Sequence, residues 1–72
     1  VTVNIKEFVG MAPGEALVFA EEVLDPGHPL GFRMGAPVNF RYLDNEKQSS
    51  VVVQLKDMPI IVRINANLLR RP

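Results

Sequence analysis

Apolar and polar positions alternate over several short stretches of this chain, and wherever the alternation is sustained its period is two. Val1, Val3 and Ile5 flank Thr2 and Asn4, the pattern of a strand with one buried face. Lys6 to Val9 have room for one helical turn, which Gly10 and then Pro13-Gly14 stop. The run Ala16-Leu17-Val18-Phe19-Ala20 is apolar at every position, so it predicts a strand covered on both faces. Glu21, Glu22, Val23 and Leu24 could extend that run into a helical pattern, which is the competing reading.

Between Asp25 and Gly35 there are two prolines and three glycines, a density that predicts a loop. Its apolar members Leu30, Phe32 and Met34 alternate, so the loop can lie against the core or against a partner. Strand character returns with Val38, Phe40 and Tyr42 on one face and Asn39 and Arg41 on the other. Leu43 to Lys47 has turn chemistry, because Asp and Asn tolerate left-handed backbone and hydrogen-bond their own main chain. Val51, Val53 and Leu55 then alternate with Ser50, Val52, Gln54 and Lys56 to complete a hairpin. After a reversal at Lys56-Asp57-Met58-Pro59, the residues Ile60, Val62, Ile64, Ala66 and Leu68 form the last buried face.

These elements predict an all-β fold: a small barrel or sandwich-like antiparallel sheet of about five strands, formed by residues 1–72 as one domain. The last three strands are expected to run antiparallel. Val52 and Ile61 fall on otherwise polar faces, which makes them candidates for an interface together with Phe32 and Met34.

Composition changes this picture in one respect. A chain of 72 residues builds a small core, and with no cysteine and a single histidine neither a disulfide nor an ordinary structural zinc site can reinforce it. Hydrophobic residues nevertheless make up 47% of the chain, a content typical of much larger domains, so association with another chain is the expected reinforcement. Eight basic residues balance eight acidic ones, and no overall field attracts a nucleic-acid backbone or an anionic membrane. No run of 18 apolar residues exists to span a bilayer as a helix. Leu69-Arg70-Arg71-Pro72 is locally basic and is expected to be a solvated tail. The start at Val1 rather than Met leads us to expect a domain cut from a larger protein, and the lack of cysteine fits the cytoplasm.

Candidate chemistry is sparse. His28 sits in Asp25-Pro26-Gly27-His28-Pro29 and is expected on an exposed loop, with Ser49 and Ser50 the only serines and no nucleophile-elbow pattern around them. Glu21 and Glu22 are adjacent, so they cannot face each other as a catalytic pair on a strand or a helix. Gly27, Gly31 and Gly35 lack the lysine and hydroxyl residue of a phosphate-binding loop. Phe40 and Tyr42 around Arg41 have the composition of a base-stacking platform, but at zero net charge core packing is the expected role. No catalytic, cofactor-binding or metal-ligating residue is therefore expected.

One segment carries a pattern beyond composition. Ile5-Lys6-Glu7-Phe8-Val9-Gly10-Met11-Ala12-Pro13-Gly14-Glu15-Ala16-Leu17 resembles a SpoA-family segment in which Glu and apolar positions lead into Pro-Gly-acidic and a strand. Ala36-Pro37-Val38-Asn39-Phe40 resembles that family's proline-led strand, and Val51-Val52-Val53 with Ile61-Val62-Arg63-Ile64 resembles its closing hairpin. The family comprises C-terminal domains of flagellar motor switch proteins and of type III secretion cytoplasmic ring proteins. The resemblance implies an intertwined β dimer used as a scaffold, and it carries over no catalytic or ligand residue.

The expected function is thus a protein-interaction or scaffold module with a protein partner, a homo-oligomer first of all, without nucleic acid, membrane insertion or cofactor. A non-catalytic β-barrel subunit or domain of an enzyme is the alternative, and a nucleic-acid-binding barrel is the third reading, disfavoured by charge.

Overall fold

The computed structural model describes residues 3–25 and 28–72, with side chains for 3–22 and 33–72. Val1 and Thr2, the start of the expected first strand, lie outside the described residues. Val3 is buried and its amide donates to the Leu69 carbonyl (2.9 Å), but the strand does not continue. Ile5 instead opens helix α1 (Ile5–Val9), because Asn4 and Glu7 form a capping box. Asn4 Oδ1 accepts from the Lys6 amide, and the Glu7 carboxylate accepts from the Asn4 amide, both at 2.9 Å. This local cap outweighs an alternation of three residues. Phe8, the buried residue of α1, meets Phe40 at 5.4 Å between ring centroids, tilted by 43°.

Among the described residues seven strands follow: β1 (Ala16–Phe19), β2 (Val23–Asp25), β3 (His28–Phe32), β4 (Pro37–Asn45), β5 (Ser50–Leu55), β6 (Ile61–Asn65) and β7 (Leu69–Arg70). Five of them make one antiparallel sheet in the order β6-β5-β4-β1-β7. The strand reading of Ala16 to Phe19 holds, but only one of its faces is buried: Leu17 and Phe19 point into the core while Ala16 is exposed. Pro13-Gly14 launches this strand. Glu15 donates to the Ala12 carbonyl (3.3 Å) across a turn in which Gly14 takes φ +94°, the left-handed position that a type II turn requires of its third residue.

The segment expected as a loop from Asp25 to Gly35 holds the end of β2 and all of β3, and of its described residues only Arg33 to Gly35 leave the strand for a turn. Strands β2 and β3 form a separate two-stranded sheet in which Val23 opposes Phe32 and Asp25 opposes His28. Pro26 and Gly27 lie outside the described residues. The prolines and glycines predict a loop, but Pro29 and Gly31 lie within β3, and backbone pairing with β2 supplies what side-chain alternation does not show.

Strands β6 and β7 lie at opposite edges of the five-stranded sheet, yet only the 3₁₀ helix Ala66–Leu68 joins them. Laid flat, five strands would separate these edges by about 19 Å at ~4.8 Å per step. Three residues of 3₁₀ helix advance only ~6 Å. The sheet must therefore curl until its edges approach, giving a small, partly open barrel. Ala66 and Leu69 enter its core, and the Ala20 amide donates to Leu68 O (2.8 Å) to fix the closure. The expected solvated tail is thus corrected: Leu69 is wholly buried and Arg70 pairs with Val18 in β7.

Closure by Leu69 predicts a graded response to truncation. Leu69→Ala should lower the unfolding free energy by about 2–5 kcal/mol, or abolish folding, whereas Leu68→Ala, at a half-buried position, should cost clearly less. Denaturant unfolding followed by circular dichroism measures both; equal and small effects would contradict the closure.

Candidate functional site

Strand β4 carries two irregularities that build an outer surface. Phe40 opposes Val53, but the next pair is Tyr42 with Val52, so Arg41 is an extra residue; Asp44 is a second one, between Leu43 opposite Val51 and Asn45 opposite Ser50. A slip of one residue sends the following side chains to the other face. Tyr42, expected beside Val38 and Phe40 in the core, therefore faces outward and is 58% exposed, while Leu43 packs against the core. Arg41 Nη1 donates to Gln54 Oε1 (3.2 Å), and Gln54 Nε2 donates to the Met58 carbonyl (3.3 Å). Asp44 accepts from Ser50 Oγ (3.0 Å) and pairs with Arg63 at 3.7 Å.

The register of the β4-β5-β6 meander sets two cross-strand rows on this outer face: Tyr42, Val52 and Arg63 in one, and Asn39, Gln54 and Ile61 in the next. Ile61 is 54% exposed, as its place among polar residues predicts. Val52 shares the face but is only 5% exposed, so the expectation of an exposed Val52 is corrected. The reason is its neighbours: the long side chains of Tyr42 and Arg63 stand on either side of a short valine. The result is an apolar strip of Tyr42, Val52 and Ile61, with Arg41, Gln54 and Arg63 beside it.

The other candidates do not join it. Met34 is 69% exposed, in the turn where the Ala36 amide donates to the Arg33 carbonyl (3.0 Å). The Phe32 side chain lies outside the described residues, as does that of His28, whose backbone belongs to β3 rather than to a loop. Sequence reasoning missed Tyr42 and the half-exposed Met58. For Tyr42 a signal existed, since Leu43 rather than Tyr42 continues the core side after Phe40, and a spacing of three within a strand marks a bulge.

A second polar cluster ties the chain ends together. Arg71 donates to Glu15 and pairs with Glu7 at 3.7 Å, the same carboxylate that closes the α1 capping box. The hydrogen bond and charge of Glu15, reinforced by Glu7, raise the pKa of Arg71 above its already high ordinary value. A raised pKa means that the Arg71 side of this contribution is complete at neutral pH and is lost as pH rises through the strongly alkaline range. Arg71 is exposed and Glu15 only partly covered, so the pair orients the C-terminal residues more than it stabilises the fold.

Among the described residues no polar or charged side chain is buried, and no three acidic or histidine side chains converge in the manner of a metal site. Ser50 Oγ spends its hydrogen bond on Asp44, and Glu21 and Glu22 are both exposed to solvent. No protein-family model, curated protein or solved structure matches the chain.

The different burial of the two candidates on one face predicts different consequences. Val52→Lys should destabilise the domain strongly, because a covered ammonium would stand directly opposite the Arg63 guanidinium. Ile61→Lys should change the unfolding free energy by less than about 0.5 kcal/mol, as surface substitutions usually do. Thermal and denaturant unfolding of the two variants at low concentration checks this; equal damage would contradict the burial assigned to Val52.

Proposed function

We propose that this domain is a protein-interaction and scaffold module that associates first with a second copy of itself. One observation carries the reading: Tyr42 and Ile61 stand more than half exposed on one sheet face, flanking Val52 and accompanied by Arg63. Tyrosine and arginine are enriched where binding energy concentrates, and a strip of this kind gains by losing its water. The sheet frame holds the strip in a fixed arrangement, with Gln54 held between Arg41 and the Met58 carbonyl. Little conformational freedom would then be lost on docking.

The SpoA-type resemblance of Ile5 to Leu17, Ala36 to Phe40 and the Val51–Ile64 hairpin supports the same class of function. It narrows the proposal to a non-catalytic component of a cytoplasmic ring of the flagellar or type III secretion kind.

If folding and association are linked, the apparent unfolding midpoint rises with protein concentration. Sedimentation velocity and thermal unfolding from low to high micromolar concentration should show a growing dimer fraction and a rising midpoint, and Ile61→Lys should reduce both. A monomer throughout, with a constant midpoint, would overturn self-association and favour the alternative, a structural β-barrel domain of an enzyme.

A further inference from the structure

Where a second copy would dock can be read from the backbone. Resting on the self-association just proposed, we infer that the free edge of β6 is the docking surface, and that two copies pair there antiparallel about a two-fold axis at Val62. Leu55 donates to the Ile60 carbonyl (3.0 Å) and Ala66 to the Ser49 carbonyl (2.7 Å). With Ser50 opposite Asn65 and Gln54 opposite Ile61, this alternation turns the main-chain groups of Val62 and Ile64 toward β5. Those of Ile61, Arg63 and Asn65 point the other way. Strand β6 pairs with β5 alone among the described strands, and this row of donors and acceptors has no strand partner among the described residues.

The two edges of the sheet differ. At β7 the strand has two residues, and Val3 covers Leu69 through its amide. Strand β6 has five residues, contains neither proline nor glycine, and keeps an unshifted register with β5. It lacks the bulges and prolines that usually blunt an edge, and its only charge is Arg63. Because the same edge meets itself about a two-fold axis, the pairing closes at a dimer rather than growing into a filament.

Charge chooses the register. An axis at Arg63 would set two guanidinium groups directly opposite each other, which is unfavourable. An axis at Val62 sets Ile61 opposite Arg63 of the second copy, so that the apolar stem of the arginine lies along the exposed isoleucine while its head group keeps Asp44. On the core side Val62 meets Val62, and Ile60 meets Ile64; the latter two are only half-buried in the single copy. The pairing joins the outer faces of two meanders into one continuous surface.

The main-chain orientation provides a selective test. Arg63→Pro removes an outward N–H and leaves the β5 ladder intact, whereas Arg63→Thr removes the charge and keeps the N–H. In sedimentation equilibrium the wild type and Arg63→Thr should dimerise, while Arg63→Pro should raise the dissociation constant about tenfold or more, with an unchanged circular dichroism spectrum. Dimerisation of Arg63→Pro at wild-type strength would overturn the edge assignment alone; a monomeric wild type would overturn the self-association it rests on. If Arg63→Pro fails to fold, amide hydrogen exchange of the wild type decides. The amides of Ile61 and Arg63 should slow as concentration rises while those of the Glu46 to Gln48 turn do not, and fast exchange of all of them at every concentration would refute the pairing.

Discussion

A link of three residues between opposite edges of a five-stranded sheet is the constraint on which the rest of this structure depends. It forces the sheet to curl, and curling gives one set of side chains an enclosed interior while the other set faces water. Ala66 and Leu69 lie inside because the chain must cross there, and their burial stabilises the crossing that put them there. Helix α1 adds Phe8 to the same interior against Phe40 of β4.

The curl also explains the irregularity of β4. This strand is the longest of the sheet, between β5 and β1, and bulges let it bend and twist with the curl. The extra residues Arg41 and Asp44 leave the ladder and take up polar contacts, with Gln54 in one case and with Ser50 and Arg63 in the other. The same irregularity that shapes the barrel delivers Tyr42 to its outside. The candidate surface is thus a by-product of closure, built by the backbone rather than by a motif.

That origin accounts for what the sequence displayed and what it hid. Val51, Val53 and Leu55 lie on the core side as their period-two spacing predicts, as do Ile60, Val62 and Ile64, and the antiparallel order of β4, β5 and β6 follows from the short reversals between them. The hairpin of β2 and β3 was hidden by its prolines and glycines, and β7 by being only two residues long next to two arginines. Ile61 was legible as a surface residue from its polar neighbours in the alternation. The shelter of Val52 was not, because it depends on which residues of β4 and β6 stand opposite, and a bulge resets that choice.

The closure itself is the most direct thing to measure. Cross-strand nuclear Overhauser effects in the labelled protein should connect the amide and α protons of Val18 with those of Arg70, and those of Val3 with Leu69, as the pairing of β1 with β7 and the Val3 hydrogen bond require. Random-coil shifts from Leu69 onward, with no contacts to Val18 or Phe19, would contradict the account of the fold and of the surface that depends on it.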